Sequence, residues 1–328
     1  TLTEVAEAYG LPVSEALGEL AARMSAFTSA IAYPNGEFPP FGDTLHPRPN
    51  KLAELAQAYS PVAEVGPDRF FSHAGYAVLR SGEPGVSARQ IGMICSSLET
   101  THKHEDNLSF TFWADGIEWL TDPGLYGYNI EDEHGAYFRS AAAHSALVIE
   151  GQRYEADTGS AQMISWRGDR EVAHVQAEHS AYPGVRMLRT LLLDKVQDAI
   201  FVADSCETNE QPGALELWFH AGAGVSAEVY PDGAVTLSAA GRPDAWSIVP
   251  LAPASTDVEV FSGATDPQLS GWIYPPNGPA PTRSIRFRSG DDRVWLTAIV
   301  PGPAPAGDRV EALRQLYNDH AGRLGLRS

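Results

Sequence analysis

The stretch THKHEDNLSFTFWADGIEWLT, residues 101–121, decides how the chain is read. Its second half alternates apolar residues with Ser109 and Thr111 at a period of two, which marks strands at LSFTFWA (108–114) and IEWLT (117–121). Asp115-Gly116 between them is a two-residue hairpin turn. Working outward, GYAVLR (75–80), HSALVIEG (144–151), MLRTLLLD (187–194), AIFVAD (199–204), ALELWFHA (214–221) and RVWLTAIV (293–300) have the same β-branched and aromatic character. Many short strands with no helices between them predict an antiparallel sandwich rather than a doubly wound sheet. Ahead of them, Leu17, Leu20, Met24, Phe27 and Ile31 recur at helical spacing, and AYPNGEFPPFGD (32–43) ends that helix. A short helix is expected at KLAELAQAY, capped by Asn50, and a closing helix at DRVEALRQLYNDHAGRLG ends on glycine. The expected fold is mainly β, a large multi-stranded antiparallel sandwich with helices before it and a short C-terminal helix.

The first half of the stretch poses a chemical question. In an extended strand His102, His104 and Asp106 lie on the face that continues as Leu108, Phe110 and Phe112, the expected core side; Ser109, Thr111 and Trp113 lie on the other. Two imidazoles entering a core need either hydrogen-bond partners or a metal. Asp122 and His144 are candidate co-ligands, since two imidazoles and a carboxylate form a common zinc set. A straight hairpin, however, pairs Ser109 with Asp122 and leaves His104 roughly 16 Å further along at about 3.3 Å per residue. A shared site therefore requires the chain to fold back between His104 and Leu108, which the turn-formers Glu105-Asp106-Asn107 can supply. A pair of hydrogen-bonded histidines at a strand entrance is the alternative.

Composition narrows the field. The chain has 328 residues, 43% of them hydrophobic, enough for a large core. Its net charge of −19, from 42 acidic and 23 basic side chains, argues against general nucleic-acid binding. Cys95 and Cys206 sit in apolar runs and read as buried thiols, which leaves the redox compartment open. No stretch of 18 consecutive apolar residues is present, so no membrane-spanning helix is expected. The start at Thr1, with no signal pattern after it, is expected to reflect processing or a fragment.

HKHEDNLSF, LTDPGLYGY and YFRSAAAHSALVIEG, in that order over residues 102–151, resemble the signature of the heparinase II/III-like polysaccharide lyases. Weaker similarity extends through PNGEFPPFGD and GYAVLRSG before these blocks and LRTLLLDKVQDAIFVAD and LWFH after them. The resemblance implies the end of a helical toroid and a linker in residues 1–60, a β-sandwich in 61–328, and a substrate cleft between toroid and sandwich. It implies β-elimination on a uronic-acid polysaccharide, where a base removes a weakly acidic proton beside a neutralised carboxylate. Carried onto this chain, His102 matches the cleft-facing histidine that acts as base or orients the uronate. His104, Asp122 and His144 match ligands of one structural Zn2+, or of another divalent ion. Tyr126 matches a catalytic tyrosine and Tyr128 a substrate-binding one. Arg139 matches an arginine that faces a sugar carboxylate; its plain alternative is a surface pair with Glu131 or Asp132. His73, His174, His179 and His220 lie outside the blocks and read as structural or exposed.

There are departures too. Ser145 stands where the family often has Asn. An Asn-His pair and a tyrosine carried by the family's toroid have no counterpart in residues 1–60. The expectation is therefore the C-terminal part of a lyase whose toroid is a separate chain or fragment; the alternative is a non-catalytic carbohydrate-binding or interaction module descended from one. The acidic charge favours a lightly sulfated or carboxylate-only polymer over a heavily sulfated one. The compartment is unknown, with a lean towards a secreted or periplasmic protein.

Overall fold

The computed structural model describes residues 8–9, 15–44, 68–82, 88–98, 101–129, 131–152, 154–155, 160–211, 213–253, 256–266, 268–275, 277–290, 292–305 and 307–326. The helix expected at KLAELAQAY and the side chain of Leu17 lie outside these residues.

Helix α1 (Glu15–Ile31) precedes the strands. Next come β1 (Arg69–Phe71), β2 (Tyr76–Ser81), β3 (Arg89–Ile94), β4 (Phe110–Ala114) and β5 (Ile117–Leu120), then helix α2 (Glu133–Arg139) and β6 (Leu147–Ile149). The chain continues through β7 (Ala161–Gly168), β8 (Val172–His179), β9 (Val185–Asp194), β10 (Ala199–Thr208), β11 (Leu215–His220), β12 (Val225–Val229), β13 (Val235–Ala239) and β14 (Ala245–Ala252). It ends with β15 (Asp257–Phe261), β16 (Trp272–Ile273), β17 (Ala280–Pro281), β18 (Ser284–Ser289), β19 (Val294–Pro301) and helix α3 (Asp308–Leu324). Three antiparallel sheets carry the fold: a meander β1-β2-β3-β4-β5, an eight-stranded sheet β12-β13-β14-β19-β10-β9-β8-β7 and a four-stranded sheet β15-β18-β11-β6. The mainly β, antiparallel expectation holds, and every quoted strand segment is a strand.

One core joins the three sheets. Phe112 of β4 meets Trp246 of β14 edge-on at 4.6 Å, and Phe110 meets Phe219 of β11 at 6.1 Å. The apolar run in MLRTLLLD follows from β9 being buried on both faces. Leu191 and Leu193 enter the inter-sheet core, whereas Leu192 faces a second cluster with Phe201, which α3 covers through Leu313 and Tyr317. Helix α3 stops at Gly325, whose left-handed φ of 64° lets its N–H reach the Ala321 carbonyl.

The hairpin turn forms as expected, with φ of 52° at Asp115 and 88° at Gly116, both positive as a type I′ turn requires. Ala114 pairs with Ile117, but a bulge then shifts the register so that Phe112 faces Leu120. The extra residue, Trp119, is fully buried and donates to the Ala114 carbonyl at 3.2 Å. Two expectations are corrected here. The second face of β4 is buried too, because Tyr33 stacks on Trp113 at 6.2 Å and donates to Glu118 at 2.6 Å, while Pro39, Pro40 and Phe41 are also buried in the same segment. Among the described residues, the apolar stripe of α1 meets the sheet at its C-terminal end. Phe27 packs on Phe71 at 4.9 Å and the Ile31 carbonyl accepts from Gln90 at 3.0 Å, whereas Leu20 and Met24 are exposed. Among the described residues this is the one long helix ahead of the strands, and by itself it does not make a toroid.

A buried guanidinium ties the sheets together. Arg189 of β9 forms a two-pronged pair with Asp204 of β10 at 2.6 and 2.9 Å. Its remaining arm donates to the Leu108 carbonyl at 2.7 Å and to the Ser145 carbonyl, and the guanidinium lies over the Phe110 ring. Leu108 leads into β4 and Ser145 into β6, so one side chain joins a strand entrance from each of the other two sheets to the eight-stranded one. Arg189→Ala is expected to cost about 3–5 kcal/mol, because it strands a buried carboxylate and two carbonyls. Urea denaturation measures the loss, and a cost below about 1 kcal/mol would remove the clamp from the account.

Candidate active site

The chain folds back where Glu105-Asp106-Asn107 stands. Ser109 N–H donates to the Asp106 carbonyl at 3.0 Å, Leu108 takes a left-handed φ of 69°, and its N–H reaches Ile94 O at 2.8 Å. Asn107 fixes the turn by accepting from Ser96 N at 2.9 Å and donating to Tyr154 Oη at 2.7 Å. The turn ends the simple alternation: His104, Asp106 and Lys103 turn inward, with Lys103 paired to Asp106, while the His102 side chain is 61% exposed. The same-face placement of His102, His104 and Asp106 is thus corrected.

The fold-back brings the three sequence blocks together. Asp122, just past β5, accepts from His144 Nδ1 at 2.8 Å and from Ser109 Oγ at 3.2 Å, so the Ser109–Asp122 proximity survives the bulge. The His104 and His144 rings lie 5.5 Å apart, and all three of these side chains are fully buried. Ser145, where the family often carries Asn, is used by the scaffold. Its N–H donates to Ser109 Oγ at 3.2 Å and its Oγ accepts from His220 N at 3.3 Å. Glu105 joins the first block to the third, its Oε2 accepting from Ala141 N at 2.9 Å and its N–H donating to Arg139 O at 2.9 Å.

Asp43 was not anticipated as a member of the site. One of its oxygens meets His102 Nδ1 and the other meets His104 Nε2 at 3.1 Å, with an Arg139 nitrogen 3.9 Å away. Arg139, the last residue of α2, also donates to Lys103 O at 3.2 Å, so its partners differ from the surface pair with Glu131 or Asp132. Asp132 instead caps α2, accepting from His134 N and Gly135 N. Tyr128 is exposed and lies edge-on to His102 at 5.8 Å. Tyr126 sits in an aromatic cluster, stacked on His134 at 5.5 Å and Phe138 at 5.6 Å and edge-on to Tyr274 at 5.3 Å. His102, Arg139 and Tyr128 therefore share one place with Asp43, and Tyr126 stands in the wall behind them. His73 is exposed and His174 and His179 are buried away from these contacts. His220 is also buried and donates or accepts at Ser284 Oγ over 2.7 Å.

Burial keeps His104 neutral. Burial, reinforced by His144, drives His104 down to about 4, against the pull of Asp122 and Asp43. Burial also lowers His179 and His220 to about 3. Burial alone would raise Asp122, but His144 and His104 outweigh it and hold the carboxyl below its ordinary value. An ionised carboxylate only accepts, so His144 Nδ1 and His104 Nε2 carry the protons in their pairs with Asp122 and Asp43. Their other nitrogens, His144 Nε2 and His104 Nδ1, are buried without a hydrogen-bond partner. Two buried, unpartnered nitrogens on adjacent imidazoles suit a cation. As placed, however, Asp122 and Asp43 are engaged pairwise with the rings, and among the described residues no group of three or more His, Cys, Asp or Glu is arranged to hold a metal ion.

With this geometry established, the comparisons identify the class. The profile described as heparinase II/III-like, C-terminal, matches residues 63–300, and the chain belongs to that family. Among solved structures, the heparan sulfate lyase HepC from Pedobacter heparinus superposes with a TM-score of 0.75 at 15% identity, over 93% of this chain and 50% of that one. A heparinase III superposes with a TM-score of 0.75 at 17% identity, over 92% of this chain and 51% of that one. The chain thus spans about half the length of the lyases whose fold it shares. No curated protein matches it by sequence.

The depressed His104, His179 and His220 set a pH dependence. Between about 4 and 6.5 all three are neutral in the folded chain and protonated in the unfolded one, so the unfolded state binds more protons and stability rises with pH. Stability is therefore lost as pH falls below about 6.5. His179→Gln should flatten the slope at pH 5 by about 1.4 kcal/mol per pH unit, one proton's worth. Urea titrations across that range measure it, and an unchanged slope would contradict the neutral assignment.

Proposed function

We propose that the chain is the C-terminal part of a polysaccharide lyase that cleaves a uronic-acid-containing glycan by β-elimination. The observation that carries the reading is the meeting of exposed His102 with Arg139 and Tyr128 above the buried His104–Asp122–His144 group. Family membership and the fold shared with heparan sulfate lyases support it.

In this reading a uronate carboxylate approaches the Arg139 guanidinium, whose charge lowers the cost of carbanion character at the adjacent C5. His102 accepts the C5 proton. The C5–H electron pair becomes the C4–C5 double bond, the C4–O bond breaks, and the departing oxygen takes a proton from a donor. Tyr128 packs against the sugar beside His102, and Tyr126 is the second tyrosine available on that wall. The toroid, in the same or another chain, completes the cleft. The net charge of −19 favours a lightly sulfated or carboxylate-only polymer, and a secreted or periplasmic location would bring the protein to it.

The proposal includes one structural Zn2+ held by His104, Asp122 and His144. Its support is the pair of unmatched buried imidazole nitrogens beside an ionised carboxylate. When bound, the ion would neutralise charge and brace the strand entrances; no proton or bond of the elimination is assigned to it.

The chain together with its toroid should generate the ultraviolet absorbance of a 4,5-unsaturated uronate from heparan, hyaluronan, chondroitin or alginate. His102→Ala should lower turnover by ~10²–10⁴-fold while leaving glycan binding in place. Absence of that product on all four polymers overturns the elimination, and binding without turnover marks a carbohydrate-binding module instead. Elemental analysis of purified chain should find about one zinc per chain. His104→Ala and His144→Ala should each abolish it, and metal-free preparations that are equally stable with and without added zinc would exclude the ion.

A further inference from the structure

We infer that Asp43 is a positioning residue that fixes the proton positions of both His102 and His104. For its catalytic consequence the inference rests on the proposed lyase reading; its structural content does not.

The argument starts from one carboxylate serving two rings. Asp43 meets His102 through Nδ1 and His104 through Nε2, which are different nitrogens of the imidazole. Since the carboxylate accepts from both, His102 is protonated at Nδ1 and His104 at Nε2. In water a free neutral histidine prefers the Nε2-protonated form, so the His102 arrangement is imposed. It leaves His102 Nε2 as the lone-pair nitrogen, the atom that can accept a proton. In His104 it leaves Nδ1, the buried nitrogen without a partner, as the lone-pair atom beside His144.

The surrounding backbone supports this role. His102 holds a left-handed φ of 64°, a region that few residues other than glycine enter and that histidine, like Asn and Asp, enters more readily, although its side chain is largely exposed. Gly42, directly before Asp43, has a φ of 55°, and a Cβ there would lie 3.1 Å from the His102 carbonyl oxygen. The loop carrying Asp43 therefore comes close to the His102 backbone at a position suited to glycine. Tyr128 borders the His102 ring on another side. The loop is anchored in turn, since Tyr33 and Phe41 of the same segment are buried. A surface histidine is thus confined by a carboxylate, a glycine approach and an aromatic edge, as expected for a ring whose orientation matters.

Long-range proton–nitrogen correlation spectra of the 15N-labelled chain, recorded at alkaline pH, test this directly. Wild type should show His102 protonated at Nδ1. Asp43→Ala should return His102 to the Nε2-protonated form, while the His179 and His220 signals, which report an intact core, stay in place. If Asp43→Ala does not fold, Asp43→Asn offers a single acceptor oxygen and should change the signals of at least one of His102 and His104. An Nε2-protonated His102 in wild type, or unaltered His102 and His104 signals in the variants, overturns the inference. In the complete lyase, Asp43→Ala should lower kcat ~10–100-fold with a smaller effect on KM. A KM effect as large as the kcat effect would overturn the catalytic part. The spectra do not depend on turnover, so a wild-type chain with the imposed form and no lyase activity counts against the proposed function and not against Asp43.

Discussion

The structure depends on a charge that has no access to water. Arg189 sits in the middle of the eight-stranded sheet, fully buried, and is neutralised by Asp204 on the neighbouring strand. An isolated charge in that position would be prohibitive, and even a paired one is tolerated only when its remaining donors are satisfied. Those donors reach the carbonyls of Leu108 and Ser145, which lie two positions before β4 and β6 begin. The requirement to satisfy one guanidinium thus sets where two other sheets begin. Ser109 follows one of those two residues in the chain and His144 precedes the other, and both side chains bond to Asp122. The site inherits its precision from the core.

Above that clamp the site is layered by solvent access. Asp122, His144 and His104 are fully buried and deal in fixed protons and lone pairs. His102 and Tyr128 are largely exposed, and Arg139 is partly so. Asp43 spans the layers, one oxygen on the exposed ring and one on the buried ring. An arrangement of this kind separates rigidity, which the inner layer supplies, from contact with a large polymer, which the outer layer supplies.

Much of this was legible in the sequence, for identifiable reasons. The hairpin at Asp115-Gly116 was readable because the turn chemistry is local. The meeting of His104, Asp122 and His144 was reachable because three ordered blocks resemble a family, and because Glu105-Asp106-Asn107 offered a physical way to fold back. The bulge at Trp119 was hidden, since it depends on how one indole fits between sheets. Trp113 was assigned to the wrong environment because Tyr33, from a segment eighty residues earlier, covers it. Asp43 was missed for the same reason: PNGEFPPFGD was noted as a turn and a weak likeness, and nothing local connects its last residue to a histidine sixty positions later. The exposed Leu20 and Met24 mark the opposite failure, where helical periodicity gave the helix but not what its stripe packs against.

The central claim is that the outer layer of His102, Arg139 and Tyr128 is where a uronate sits. A crystal structure of the chain soaked with an unsaturated uronate oligosaccharide, the product type of β-elimination, tests it most directly. The account predicts a sugar carboxylate at Arg139, a ring against Tyr128, and C5 facing His102 Nε2. An oligosaccharide ordered on another face, with those three side chains left in solvent, would contradict it.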